Sequence, residues 1–201
     1  MTTPHLPYDL ASCSLKTVFG SFNLFCFSWG PDESDNVLAL QVPWNDRVPI
    51  IRVQSACFTG EIFRSTDCDC HEQLERSLQL IQEAGGLFVY LIRDGRGAGI
   101  FKKVQGLRLG ESQGLDTADA YEALGLEPDP RTYDRVADVL RYFGVVRLNL
   151  LTNNPRKVDG LQAAGLEVER IPIEIEATPD SYAYLRTKRM KMGHLLDALR
   201  P

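Results

Sequence analysis

Residues 57–70 read CFTGEIFRSTDCDC and place three of the chain's five cysteines in a C-x10-C-x-C pattern. Cys68 and Cys70 are too close in sequence to bridge each other comfortably, but a turn at Asp69 lets both sulfurs face one ion. Three protein ligands and one water are typical of a catalytic zinc site. The stretch therefore predicts a zinc site formed by Cys57, Cys68 and Cys70.

Two other interpretations of these cysteines stay open on the residues alone. Free cysteine is commonly a small core residue, so the three could be reduced, buried thiols. His71 follows the last cysteine directly. As a fourth ligand it would close the site and make the metal structural.

The chain has 201 residues, of which 44% are hydrophobic and 24% are charged. This composition is that of an ordinary globular domain, and the length is enough for one sizeable core. We expect a single domain over residues 1–201. Within it, residues 1–50 form a β-rich N-terminal part and residues 51–201 form a catalytic α/β part.

The charge and the apolar pattern restrict the partners. The formal net charge of −5 disfavours broad binding of nucleic acid, so an anionic ligand must be held by a local cluster of Arg and Lys. No stretch approaches membrane-spanning length, and the first seven residues lack the basic start and apolar run of a secretory signal. An odd number of cysteines fits a reducing compartment. We expect a small phosphorylated ligand, no membrane and a cytoplasmic location.

Apolar periodicity predicts an α/β fold with a mixed sheet and flanking helices. Alternation along the strand that precedes Cys57 should deliver Arg52 and Gln54 to one face of the sheet. The predicted strands lie at 37–42, 49–54, 87–92, 145–151 and 167–173, with a hairpin over 15–29 that breaks at Gly20-Ser21. The predicted helices cover 70–84, 117–124, 131–143 and 180–199, and another begins at Pro155.

Two loops follow predicted strands and carry residues suited to phosphate. Residues 93–99, RDGRGAG, contain three glycines that let backbone N–H groups approach an anion before a helix begins. A solvated, glycine-rich turn explains the same loop equally well. The turn that begins at Thr152 lies at the strand end of a βαβ unit, a common ligand position, and Lys157 follows it.

A proline-stiffened, charged connection covers residues 127–131. Its Asp129 and Arg131 could point into a pocket. On the residues alone, a capping aspartate and a solvated arginine are the default interpretation.

Together, the cysteine cluster, the Gly-Arg loop and the run LLTNNP at 150–155 make the chain similar to the GTP cyclohydrolase II family, which opens riboflavin biosynthesis. The resemblance extends from about Arg52 to Leu196. It is carried by Arg52-Val53, Ser55, Cys57, Thr59-Gly60, Cys68-Asp69-Cys70, Gln73-Leu74, Gly95-Arg96, Gly114, Asp116-Thr117, Asp129, Arg131, residues 150–155, Lys157 and residues 191–196.

The resemblance implies specific roles for these residues. The three cysteines would bind Zn²⁺, whose water attacks C8 of the guanine ring so that formate leaves. Arg131 would be the nucleophile toward the α-phosphate, releasing pyrophosphate, with Asp129 as proton acceptor and Mg²⁺ assisting. A homodimer is also implied. The implied GTP-binding residues are Arg52, Val53, Gln54, Ser55, Ala56, Gln73, Asp94, Gly95, Arg96, Thr117, Thr152 and Lys157.

Several positions depart from the family pattern. Gln54 and Ala56 stand where the family usually has His and Glu, Asp67 stands in place of Arg, and Asp94 in place of Glu. Residues 102–108 hold no tyrosine, although the family has one in this region. We therefore expect altered recognition of the base. The alternatives are an enzyme that hydrolyses a different nucleotide ring, and a non-catalytic nucleotide-binding homologue.

Overall fold

A computed structural model describes residues 8–127, 129–197 and 199. The N-terminal residues 1–7, Pro128 of the charged connection, and Ala198 in the predicted last helix lie outside the described residues. The strands are β1 (Asp9–Thr17), β2 (Gly20–Ser28), β3 (Asn36–Val42), β4 (Ile50–Ser55), β5 (Gly86–Leu91), β6 (Arg147–Leu151) and β7 (Glu167–Ile171).

The α-helices are α1 (Phe58–Glu61), α2 (Cys70–Ala84), α3 (Ile100–Gln113), α4 (Thr117–Ala123), α5 (Asp134–Tyr142), α6 (Pro155–Ala163) and α7 (Tyr182–Met192). Short 3-10 turns lie at Glu33–Asp35 and Gly95–Gly97. None of the helices in the described ranges is long and apolar enough to cross a membrane.

One seven-stranded sheet runs in the order β1-β2-β3-β5-β4-β6-β7. Strands β1, β2, β3 and β5 pair antiparallel, whereas β5, β4, β6 and β7 pair parallel. The α/β fold with a mixed sheet and flanking helices is confirmed. In such a sheet, ligands bind outside the carboxyl ends of the parallel strands.

The sheet is covered on both faces. On one face, Ile51 and Val53 of β4 pack in a core with the apolar residues of α5 and α6. On the other face, Phe88 packs against Leu78 and Ile81 of α2. A strand buried on both faces has a continuous apolar run, which is why β5 was predictable as a central strand.

Helix α2 begins where the cysteine stretch ends, as predicted. Leu78 and Ile81 are buried, and Gly85 ends the helix with a positive φ of 83° while its N–H donates to the Ile81 carbonyl. The stretch that carries the cysteines is therefore held at both ends, by β4 before it and by α2 after it.

The predicted hairpin is displaced. β1 begins at Asp9, its turn lies at Val18-Phe19, and Gly20 opens β2 rather than breaking it. Strand β1 is exposed along almost its whole length. With no buried face it has no apolar periodicity, which is the reason its start was missed.

Two helix ends were wrong. Helix α5 begins at Asp134 instead of Arg131, because the Arg131 N–H donates to the Asp129 side chain in a turn before the helix. Helix α7 ends at Met192, and the left-handed Gly193 (φ 66°) stops it before the predicted end at 199.

The contact between β4 and β5 gives a test of this sheet. Gly86 has a φ of 149°, and a Cβ there would lie 1.9 Å from the Ile50 carbonyl oxygen. We expect Gly86→Ala to lower the free energy of unfolding by at least about 2 kcal/mol, because backbone of β4 would have to move. Gly125, with a φ of 68° and no neighbouring atom within 4 Å, is the matched control. Gly125→Ala should lose only about 1 kcal/mol. Equal losses in urea unfolding would contradict this account.

Candidate functional site

A cavity of about 750 Å³ lies at the carboxyl ends of three neighbouring parallel strands. Its walls come from the residues that follow β4, β5 and β6, together with α3, α4 and α7. Small-molecule sites commonly have volumes of roughly 300 to 1,000 Å³. The cavity is therefore large enough for a nucleotide.

Most of the predicted site residues meet in this cavity. Two do not line it: the side chain of Val53, only 1% exposed, packs in the core, and Asp129 lies behind Arg131. The predicted residues that do line it are Arg52, Gln54, Ser55, Ala56, Cys57, Cys68, Cys70, Gln73, Asp94, Gly95, Arg96, Thr117, Arg131, Thr152 and Lys157.

The three cysteine sulfurs lie within 4.8 Å of one another, and the Sγ atoms of Cys57 and Cys68 are 3.9 Å apart. Zinc–sulfur bonds of about 2.3 Å in a tetrahedral site would separate the sulfurs by roughly 3.8 Å. Gly60 permits this approach, since a Cβ there would lie 2.7 Å from the Cys68 sulfur. The donor set and its spacing fit a zinc ion.

His71 is not part of the cluster. Its Nε2 lies 2.8 Å from Glu75 Oε1, one turn along α2. Within the described ranges, the group of side chains able to hold a metal consists of the three cysteines alone. The interpretation of a closed, four-ligand site through His71 is therefore not supported.

The cluster favours a thiolate. Hydrogen bonds from Cys68 and then Cys70 lower the pKa of Cys57, and the Lys103 ammonium, 3.1 Å from the Cys57 sulfur, adds to this effect. The hydrogen bond with Cys57 raises the pKa of Cys68 to about 11. These contacts favour the thiolate form of Cys57, and a thiolate beside two further sulfurs is an arrangement that attracts a cation.

Arg52 and Gln54 form a hydrogen bond with each other on one face of β4. The Arg52 guanidinium donates to the Leu151 carbonyl at 3.0 Å and, through Nε, to Gln54 Oε1 at 2.9 Å. It also donates to Gln73 Oε1 at 2.6 Å. Gln54 Nε2 donates to Glu61 Oε1 at 2.8 Å. The Gln54 amide therefore has protein partners on both of its polar atoms.

Asp129 and Arg131 form a buried, two-pronged ion pair. Arg131 Nε and Nη2 donate to the two Asp129 oxygens at 2.7 and 2.8 Å, and Nη1 lies 3.3 Å from Ser55 Oγ. Burial alone would lower the pKa of Arg131, but the hydrogen bonds that it donates to Asp129 outweigh this effect, and the pKa is raised. Burial acts to raise the pKa of Asp129, and the hydrogen bonds of Arg131 reverse that shift. Arg131 is not a solvated surface arginine.

The Gly-Arg loop positions Arg96. Gly95 and Gly97 have φ values of 58° and 95°, and Arg96 itself is left-handed at 55°. Arg96 Nη2 donates to Thr117 Oγ1 at 2.9 Å, and its guanidinium lies 5.1 Å from the centre of the Tyr121 ring. The loop therefore joins two predicted binding residues on one wall.

Asp94 links this loop to the cysteine stretch. Its Oδ2 accepts the Phe58 N–H at 2.7 Å, and its Oδ1 lies 2.9 Å from Lys103 Nζ and also accepts the Gly95 N–H. The carboxylate is almost fully buried. Its position between two loops fixes them relative to each other.

Several basic side chains gather around Lys157 in the cavity wall. Lys157 Nζ donates to the Val53 carbonyl at 2.6 Å. Burial lowers the pKa of Lys157 well below its usual value, and the charges of Arg52, Arg131 and Lys188 lower it further. An anion placed among these groups would relieve their mutual repulsion.

Sequence reasoning missed several residues of the cavity. Lys188 lies 3.1 Å from Asp69 Oδ1 and 4.3 Å from the centre of the Tyr184 ring. Tyr121 and Tyr184 both line the cavity, although residues 102–108 carry no tyrosine. The spacing of Tyr184 and Lys188, one turn apart on α7, was the available signal.

Known proteins of one family match this chain. A family model described as GTP cyclohydrolase II matches residues 9–172. A riboflavin biosynthesis protein RibBA of Bacillus velezensis is 43% identical over 187 residues, which cover 91% of this chain and 47% of the relative. A GTP cyclohydrolase-2 of Campylobacter hominis is 40% identical over 183 residues, covering 91% of this chain and 92% of the relative. The chain thus spans about half the length of the RibBA relative.

The metal site gives a direct test. We expect the purified chain to bind about one zinc per chain, and Cys68→Ala to lose most of it, because two remaining thiolates hold zinc poorly. Cys13, exposed on β1, is the matched control, and Cys13→Ala should keep full zinc content. Metal analysis after dialysis measures this. Equal zinc in the wild type and Cys68→Ala would show that the cluster is not the site.

Proposed function

Because the chain belongs to the GTP cyclohydrolase II family, we propose that it opens the imidazole ring of GTP or a closely related nucleoside triphosphate, releasing formate and pyrophosphate. One observation carries this proposal. A single cavity brings a cluster of three cysteines together with a group of basic side chains. The two parts suit the two ends of a nucleotide, the base and the phosphates.

Cys57, Cys68 and Cys70 would hold Zn²⁺ at the base end. When bound, zinc would supply a Lewis acid for hydrolysis of the ring. The chain's own contribution is to hold the three sulfurs together, which the close approach at Gly60 permits.

The phosphates would be held by Arg96 in the Gly-Arg loop, Arg131 in the connection before α5, and Lys157 on α6. Charge-assisted hydrogen bonds to phosphate are among the stronger ones in proteins, and arginine makes them in pairs. In the described part of the chain, no cluster of carboxylates suited to a metal lies beside them. We expect Mg²⁺ to be bound mainly by the nucleotide phosphates, as is usual for this ion.

We propose that Arg131 attacks the α-phosphorus, so that an N–P bond forms as the bond to the bridging oxygen breaks and pyrophosphate leaves. The guanidinium is protonated at rest, because Asp129 raises its pKa. It must lose a proton to attack, and Asp129, in contact through two hydrogen bonds, is the acceptor in place.

The base end supports a second candidate, a substrate with a different base. Ala56 lines the cavity with a methyl group only, and the polar atoms of Gln54 already have protein partners. Neither residue can therefore offer what His and Glu would offer to a base edge. A missing hydrogen-bond partner can cost about 1 to 3 kcal/mol, enough to change the preferred base.

We further propose, from the family resemblance, that the chain acts in the cytoplasm as a homodimer. A non-catalytic, nucleotide-binding role is the remaining alternative. Turnover assays separate it from both enzymatic candidates.

The proposal is tested by incubating the zinc-loaded protein with a panel of nucleoside triphosphates while formate and pyrophosphate are measured. We expect turnover of at least one purine nucleotide, with a weak preference for GTP. Ala56→Glu should raise kcat/KM for GTP relative to the other nucleotides by about tenfold, because it restores a hydrogen-bond acceptor. No product from any nucleotide would contradict the enzymatic proposal. Exclusive use of GTP by the wild type would show that the departures do not affect selectivity.

The role of Arg131 is tested separately. We expect Arg131→Ala to lower kcat for pyrophosphate release by at least about a hundredfold, a loss typical of removing a charged group that acts on the reacting centre. Arg141, which lies on the surface and pairs with Asp138, provides the matched control. Arg141→Ala should keep wild-type turnover. Normal turnover by Arg131→Ala would exclude a catalytic role.

A further inference from the structure

Lys103 is a half-buried cation to which the proposed reaction assigns no role. It lies on α3, and its side chain is only 15% exposed. Its Nζ donates to the Cys57 sulfur at 3.1 Å and lies 2.9 Å from Asp94 Oδ1. The ammonium therefore stands between a proposed metal ligand and a buried carboxylate.

The charges of the proposed centre explain why a cation would be placed there. Three thiolates and one Zn²⁺ carry a net charge of −1, in a site where all three cysteines are buried or half-buried. An uncompensated charge is costly in such surroundings. The Lys103 ammonium places a positive charge in direct contact with one ligand, and it shares that charge with the Asp94 carboxylate.

We propose that Lys103 is a positioning residue of the metal centre, which holds the Cys57 thiolate by a charge-assisted hydrogen bond and places a positive charge beside the three-thiolate site. This inference rests on the zinc site of the proposed function. Outer-shell groups of this kind orient metal ligands and tune the metal. A hydrogen bond to sulfur withdraws electron density from it, so the metal would remain a stronger Lewis acid.

Asp94 fixes the ammonium in this position. It accepts the N–H of Phe58, the residue directly after Cys57, at 2.7 Å. The Cβ atom of Lys103 also packs closely against Gly95, where an added Cβ would lie 3.2 Å away. The carboxylate, the lysine and the thiolate thus form a chain that begins and ends on the cysteine stretch.

The competing explanation is that Lys103 only anchors α3 through its ion pair with Asp94. The two explanations predict different electronic states of the Cys57 sulfur. An anchoring role leaves the electronic state of the thiolate unaffected, whereas a hydrogen bond to sulfur lowers the energy of its lone pairs. Charge-transfer bands from sulfur to Co²⁺ in the cobalt-loaded protein report this energy.

We expect Lys103→Met to move the sulfur-to-cobalt bands to longer wavelength and to weaken Co²⁺ and Zn²⁺ binding by about tenfold to a hundredfold in chelator competition. Lys103→Arg keeps the charge and should restore both properties in part. Lys102, the neighbouring lysine on α3, is the matched control, and Lys102→Met should leave bands and affinity unchanged. Circular dichroism checks that each variant is folded, and Lys103→Gln replaces Lys103→Met if the latter is not.

The outcomes separate this inference from the proposed function. If a folded Lys103→Met has the same band positions and the same metal affinity as the wild type, the inference is overturned and the zinc site remains supported. Equal shifts in Lys102→Met and Lys103→Met also overturn it, because the effect would then be one of overall charge. Absence of sulfur-to-cobalt bands in the wild type overturns the metal site and the inference together.

Discussion

The structure of the site depends on one close approach, the meeting of three sulfurs within 4.8 Å at the junction of β4 and α2. Ten residues separate Cys57 from Cys68, and this loop must return to its start with its backbone against the sulfurs. Gly60 permits that return, since any Cβ there would meet the Cys68 sulfur at 2.7 Å. The approach of the sulfurs therefore fixes the end of β4 relative to the start of α2, and both contribute residues to the cavity.

Residues close in sequence to this junction were predictable, and residues from distant elements were not. Three features carry a local signal: the cysteine spacing, the apolar stripe of α2 and the continuous apolar run of β5. In the structure the three sulfurs cluster, and the helix and the strand form where these patterns predict them. Lys103 reaches Cys57 across 46 residues, and Lys188 reaches Asp69 across 119. A lysine on a helix has no local feature that distinguishes a buried partner from a solvated face, so only packing of α3 and α7 reveals these contacts.

A second limit concerns what a polar side chain does once it is placed. Alternation along β4 predicted that Arg52 and Gln54 share a face, and they do. On that face, however, Arg52 donates a hydrogen bond to Gln54, so the two side chains occupy each other's polar groups. Buried polar groups need partners, and a strand interior supplies few apart from its neighbours. The Arg52 guanidinium already donates hydrogen bonds to Leu151, Gln54 and Gln73. Arg52 would therefore affect a bound anion through its positive charge more than through a direct hydrogen bond. The sequence identifies the residue, but the direction of its donors follows from the fold.

The two ends of the cavity have different consequences for selectivity. Basic side chains of the cavity, among them Arg131 and Lys157, would bind the phosphates of any nucleoside triphosphate equally well. Uniform binding of this kind does not distinguish one base from another. Discrimination must come from groups that meet the base. Among the residues that line the cavity, Ala56 offers a methyl group and Gln54 is held by Arg52 and Glu61, whereas Tyr121 and Tyr184 add aromatic rings to the wall. Aromatic rings stack on every base with little preference. In the proposed function, such a site would bind the phosphates strongly, while few hydrogen bonds would select the base.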